Sequence, residues 1–319
     1  MQVPPGRSTQ ERVGLVVDGI NANAAVKTIA AAEAAGVKQI WMTQTPFWPD
    51  TLTTLAAAAT KTSTIRLGTS IVPTYPRHPL VMAQQALSLY DIAPGRLRLG
   101  IGPSHQTIIE GVYGLPQTKP LAHLREYVNV LRIALWDGKV DHHGKFFNVK
   151  VTLPHTAQIP VLISTLGVKA FQLAGEIADG ALSWVCPIQY LIRTGIPALR
   201  TAAAAANRQS TPPLVGYISV ALSKDRDSVL AAGHQSLDMY SRFPFYAKMF
   251  ADAGFPLTAS QMIPDSLVES LIVSGNEDTV AAQFIELLAT GLDELMVTLM
   301  PIKDPVDEFT QLMHLMGQL

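Results

Sequence analysis

The sequence predicts an α/β fold, a (β/α)8 barrel of the TIM type, and three observations carry that prediction. Short β-branched runs alternate eight times with Ala- and Leu-rich stretches of helical period. Those runs are nearly continuous in apolar residues, as parallel strands covered on both faces require. The chain is 319 residues long, a length that α/β barrels fill as one domain. The rival doubly wound sheet would need a dinucleotide fingerprint. The glycine cluster at a strand end, Gly100-Ile101-Gly102-Pro103-Ser104-His105, lacks its third glycine.

Taken in order, residues 13–17 read as a first strand, and residues 24–35 as a helix stopped by Gly36. A strand over 39–43 and a helix over 51–60 follow, then a strand over 65–72. Pro79 suits a first helical position, so the next helix runs over 79–90 with His78 just before it. Residues 96–101 form the fourth strand and 121–136 a long helix. The second half continues with strands over 161–163, 181–185, 215–222 and 294–299. Its helices fall over 169–178, 190–206 and 306–316. Two segments exceed this rhythm. Residues 138–160 read as a hairpin inserted after strand four. Residues 226–274 read as helical material inserted after strand seven, with Phe243-Pro244-Phe245-Tyr246 inside it. Long barrel insertions tend to cover the site. Residues 1–11, with Pro4, Pro5 and Gly6, are expected to be a flexible N-terminal tail without a secretory h-region, and residues 12–319 a single domain.

Composition excludes several function classes. Hydrophobic residues make up 48% and charged ones 15%, with a net charge of −1. Such a chain buries a large core and projects no field towards nucleic acid or an anionic membrane. No apolar run approaches the length of a membrane span. The single Cys186 allows neither an intrachain disulfide nor a cysteine metal cluster. A cytoplasmic location is expected.

In such a barrel the site lies at the carboxyl ends of the strands. There the chain offers Asp18 and Gly19; Gln44 and Thr45 before Pro46-Phe47-Trp48; Ser70 to Pro79; Gly102 to His105; Ser164 to Val168; and Trp184 to Pro187. Only Asp18 and His105 are candidates for metal ligands, and no His-x-His follows strand one, so no metal is expected. Strands four to seven offer no pair of carboxylates for a glycosidase. No Lys lies inside a strand for Schiff-base chemistry. A lining of hydroxyls, glycines and aromatics suits a large planar cofactor that brings its own chemistry. The Ser164-Thr165-Leu166-Gly167-Val168 turn reads equally well as a phosphate site at a helix N-terminus or as an ordinary helix cap. Arg77 reads first as part of a structural ion pair. His142 and His143 read as solvated turn residues, and Cys186 as inert core.

Three segments carry a resemblance. They are Leu67 to Pro79 followed by Gln84 and Gln85, Gly95 to His105, and Ala174 to Gly180. In this order they resemble the luciferase-like flavin and deazaflavin oxidoreductase superfamily. The Thr-Tyr-Pro-Arg-His-Pro, Ser-His and Leu-Gly combination looks most like its actinobacterial coenzyme F420-dependent oxidoreductases. The likeness runs from about Arg12 to the C-terminus. It implies a luciferase-like TIM barrel that transfers a hydride between F420 and a small organic substrate such as an enone, imine or carbonyl compound. An FMN-dependent monooxygenase and a catalytically silent cofactor-binding protein are the alternatives. Homodimer assembly is left open.

The resemblance also implies roles for particular residues. A strand-three bulge that backs the cofactor, often with a non-proline cis peptide, falls at Ser70-Ile71, with Gly68 and Thr69 beside it. The phosphate falls on Thr165, Leu166, Gly167 and Val168, where Leu166 replaces the first residue of a common Gly-Gly or Gly-Pro pair. Gly102, Pro103, Ser104, Thr45 and Trp184 line the remaining cofactor site. His105 is the implied proton donor or acceptor, with a purely structural His as the other reading, and Gln44 stands at the ring edge. The sugar-phosphate dehydrogenase branch has a catalytic His and Glu where this chain has Thr45 and His105. Sugar-lactol oxidation is therefore not expected. Phe47, Trp48, Tyr75 and the Phe243 segment suggest an apolar mouth.

Overall fold

The computed structural model describes residues 7–319. Eight parallel strands close into a barrel: β1 Val13–Val16, β2 Gln39–Met42, β3 Arg66–Thr69, β4 Leu97–Gly102, β5 Val161–Ser164, β6 Gly180–Leu182, β7 Leu214–Ala221 and β8 Glu294–Leu299. Pairing runs β1 to β8 in chain order, and β8 returns to β1 to close the ring. Nearly every strand residue is buried, because side chains face either the barrel interior or the helical ring.

The lower interior is filled by one large ring. Trp41 from β2 lies between Gly14 and Gly68, where an added Cβ would fall 2.5 Å and 2.3 Å from indole atoms. The Arg98 guanidinium stacks 4.9 Å from the same ring. It pairs with the buried Glu294, which also takes Arg7 and Gln39. Burial alone would push the Glu294 carboxyl upward, but Arg98 and Arg7 outweigh this and hold it below its usual range. This ionic plug closes the amino-terminal end of the barrel, so the chemistry is left to the other end.

The structure departs from the expected elements in several places. Residues 1–6 of the expected tail lie outside the described residues. The rest of it is built in: Ser8 and Glu11 form a capping box on the helix Thr9–Arg12, and Arg7 reaches Glu294. The strand expected over 65–72 is interrupted after Thr69 by the bulge that the resemblance implied, where the Ser70–Ile71 peptide bond is cis as expected, and Val72–Pro73 resumes against β4. The strand expected over 181–185 ends at Leu182, because Val185 turns left-handed at φ 48°. The helix expected over 190–206 is interrupted by a π-turn, Leu191–Gly195, ahead of Ile196 and Pro197, whose ring nitrogen cannot continue the α-helical bonding. A helix over Glu277–Ala289 went unrecognised within the stretch before β8.

An antiparallel hairpin, Lys139–His143 with Asn148–Thr152, sits between β4 and β5. Between β7 and β8 come helices Arg226–Leu237, Pro244–Asp252 and Asp265–Ser270. A 3-10 turn over Asp238–Arg242 lies among them. This insertion is not wholly helical, since Ile272–Ser274 adds a strand to the edge of β7. Among the described residues, no helix is long and apolar enough to cross a membrane.

Candidate active site at the barrel mouth

The carboxyl ends of β3, β4 and β5 form a small polar cradle. Gly102 is required there, since a Cβ would lie 2.2 Å from Ser164 Oγ and 3.3 Å from Ile71 Cδ1. The Gly102 carbonyl accepts from Thr74 N at 2.9 Å, which folds the loop after β3 back over the rim. Ser70 is only 6% exposed, and its Oγ has no hydrogen-bond partner. A buried hydroxyl is costly without a partner. The Ser70 hydroxyl therefore fits a site that is completed by the polar edge of a bound ring.

The turn after β5 opens the helix Val168–Ile177. Gly167 is its N-cap and supplies no side-chain bond to the first turn. The ordinary-cap reading thus loses its capping side chain, while the end stays suited to an anion. A Cβ on Gly167 would meet nothing within 4 Å. Thr165 does not face this opening. Its hydroxyl donates to Leu182 O at 3.2 Å and lies 3.2 Å from Ser183 Oγ, tying β5 to β6. Leu166 packs against the core, and Val168 is 42% exposed.

An aromatic strap from the insertion after β7 joins the strand ends on either side of this turn. Tyr240 OH accepts from Trp184 Nε1 at 2.7 Å, and Tyr246 OH donates to Trp184 O at 3.1 Å. Trp184 also packs on Tyr217 at 4.4 Å. On the other side His105 stacks on Phe243 and lies 5.7 Å from Tyr246. The strap is thus fastened at the ends of β4 and β6, on either side of β5. Burial pushes the His105 imidazole below its ordinary value, so it is neutral at pH 7.

Several expected contacts take other roles. Both ends of the Gln44 amide are engaged: Oε1 accepts from Thr51 N at 2.7 Å and Nε2 donates to Thr45 O at 3.0 Å. Gln44 therefore braces its own loop, with one Nε2 hydrogen uncommitted. Thr45 Oγ1 accepts from Phe47 N within the same turn. Gly68 faces Trp41 inside the lower barrel, away from the mouth. Thr69 Oγ1 donates to Gly100 O and accepts from Gly100 N, which locks β3 to β4. Pro103 and Ser104 shape the rim: Ser104 is left-handed at φ 61°, and Gln117 Nε2 holds the Pro103 carbonyl at 2.7 Å. Arg77 pairs with Asp50, the N-cap of the helix Thr51–Ala59. His142 is not a free turn residue, since it bonds Glu126 at 3.2 Å.

Sequence reasoning missed the opposite wall. Tyr217 is buried on β7 and its OH lies 2.7 Å from Ser219 Oγ. Asp18, at the end of β1, was set against metal chemistry alone. Period-two counting from Gly14 along β1 would have placed it facing inward. Among the described residues no cluster could hold a metal ion.

Comparison with known proteins agrees with this architecture. The sequence profile described as luciferase-like monooxygenase matches residues 2–294. A putative coenzyme F420-dependent oxidoreductase of Mycobacterium tuberculosis is 27% identical over 85% of this chain and 89% of its own length. The 5,10-methylenetetrahydromethanopterin reductase of Methanolobus tindarius is 27% identical over 83% of this chain and 86% of its own. Among solved structures, the coenzyme F420-dependent tetrahydromethanopterin reductase of Methanopyrus kandleri superposes with a TM-score of 0.76 at 23% identity. It covers 96% of this chain and 97% of that one. The EDTA monooxygenase of Chelativorans sp. BNC1 also has a TM-score of 0.76, at 14% identity, over 96% and 94% of the two chains. Both structures share the fold.

Proposed function

Since the chain belongs to the luciferase-like monooxygenase family, we propose that it is an oxidoreductase that moves a hydride between coenzyme F420 and a small organic carbonyl, imine or enone. The observation that carries this reading is the buried, unpartnered Ser70 hydroxyl in the glycine-lined cradle beside the uncapped helix at Gly167. One position suits the polar edge of a planar ring and the other its phosphate. The relatives named for F420 and for methanopterin reduction favour the deazaflavin.

When bound, F420 supplies a two-electron hydride carrier with little tendency to activate O₂. The chain's own groups do the rest. Ser70, Ile71 and Gly102 back the ring, Pro103 and Ser104 form the rim beside it, and Gly167 and Val168 present backbone N–H groups to the phosphate. Trp184 and the strap keep bulk water from that side. His105, neutral at pH 7, stands at the rim as a hydrogen-bonding group for substrate. The reading includes a cytoplasmic location, with homodimer assembly left open.

Absorbance and fluorescence titrations with F420 and with FMN test it. Saturable quenching of F420 without FMN binding is the expected result. Bound FMN alone would replace this reading with the monooxygenase one, and binding of neither would leave a barrel without this chemistry.

A further inference from the structure

Asp18 is the one carboxyl within three residues of the carboxyl end of a barrel strand. The next candidates, Asp225 after β7 and Asp304 after β8, are committed to helix caps, accepting from residues 227 and 228 and from residues 306 and 307. Asp18 accepts no hydrogen bond and pairs with no cation among the described residues. It has no structural duty.

Its direction follows from the strand. Gly14 faces the interior, because its Cβ would strike Trp41. Extended pairing continues to Val17, whose N–H donates to Trp41 O at 2.9 Å. Alternation then turns Val16 and Asp18 inward. The register of β1 on β8 and of β8 on β7 places Thr298 and Ser219 in the layer beneath. Thr298 Oγ1 is buried there, beside the Tyr217 hydroxyl. Asp18 is near enough to the buried Tyr217 for its charge to raise that phenol further.

We propose that Asp18 is the proton-handling group of this active site, acting on the heteroatom of a carbonyl or imine substrate. The proposal rests on the hydride-transfer reading and adds the group that completes it. As the substrate carbon gains its new C–H bond, the C=O or C=N π pair moves onto the heteroatom. The Asp18 O–H bond breaks as the heteroatom–H bond forms, and water later returns the proton to the carboxylate. In the reverse direction the carboxylate accepts the proton from the alcohol or amine. The surroundings suit this work. Water reaches the side chain, yet the desolvating walls of the mouth push its carboxyl above the usual range. No charged group on β2, β7 or β8 offsets that shift, and Tyr217, the titratable neighbour, stays protonated.

The test pairs carboxyl carbon-13 NMR of the full chain with kinetics of F420-dependent benzaldehyde reduction, for the wild type, Asp18→Asn and Asp18→Glu. One aspartate resonance should titrate above the ordinary value and vanish in Asp18→Asn. In that variant kcat should fall by ~10²–10⁴, with KM and F420 affinity within about twofold, and Asp18→Glu should recover part of the loss. Wild-type kcat should decline as pH rises through the value that NMR gives. An ordinary Asp18 titration, or an Asp18→Asn variant with wild-type kcat and pH profile, would overturn the proposal. Absence of F420 binding or of aldehyde reduction in the wild type would instead sink the hydride-transfer reading and this role with it.

Discussion

The imidazole of His105 lies parallel to the Phe243 ring, with centroids 4.1 Å apart and an interplanar angle of 11°. This contact joins the rim of β4 to the insertion after β7, and it buries the His105 ring. Phe243→Ala should therefore move the His105 pKa up towards the ordinary value of about 6.5, because burial is what holds it down. Proton NMR of the histidine C–H resonances would read the change. Faster hydrogen exchange over residues 238–252 should accompany it. An unmoved His105 titration would mean that other walls bury the ring.

Gly167 tests the anion end of the site. Its φ of −102° is open to any residue, and an added Cβ meets nothing within 4 Å. Gly167→Asp should fold normally while placing a carboxylate at the uncapped helix end. Charge-assisted hydrogen bonds are worth about 1.5–3 kcal/mol each, so F420 affinity should fall at least tenfold by titration. Unchanged affinity would remove the phosphate from the β5 turn.

Gly68 tests the opposite claim, that a glycine in the strand-three motif serves packing. A methyl group there would sit 2.3 Å from Trp41 Cε3 inside the lower barrel. Overpacking of this kind costs about 1–3 kcal/mol, so Gly68→Ala should lower the thermal midpoint. Cofactor affinity per folded molecule should stay as in the wild type. A stable variant with weakened affinity would return Gly68 to the site.

These cases show how far residues can be read without coordinates. Continuous apolar runs revealed the eight strands, because parallel strands are buried on both faces whatever their partners. The glycines were harder. Gly68 and Gly102 look alike in a strand motif, yet one makes room for Trp41 and the other for Ser164. Only the distant neighbour tells them apart. The bracing of Gln44 was not legible because its partner is Thr51, in the next helix, and a free amide and a braced one share the same sequence. The union of His105 with Phe243 was invisible for the same reason, since the insertion's path back across the mouth is set by tertiary packing. Asp18 was legible by counting along β1 but had been weighed only as a metal ligand.

The last prediction concerns pH and the insertion that carries the strap. His234, on the helix Arg226–Leu237, bonds Asp238 through Nδ1 at 3.1 Å and Asp265 through Nε2 at 2.8 Å. Both ring nitrogens must donate for both bonds to form, which requires the imidazolium. Partial burial opposes the charge, but the two carboxylates outweigh it and raise the His234 pKa above its ordinary 6.5. A histidine raised on folding stabilises the folded state fully below its unfolded value, and that contribution fades as pH rises through the folded value. The link clamps the helix Arg226–Leu237 to Asp265–Ser270 and to the 3-10 turn from which Tyr240 reaches Trp184. His234→Gln should therefore lower the thermal midpoint most near pH 6 and least near pH 9. Hydrogen exchange over residues 238–252 of the wild type should quicken across the same interval. A midpoint difference that stays constant from pH 6 to pH 9 would show that His234 acts through its shape alone, and the strap would then be insensitive to protonation.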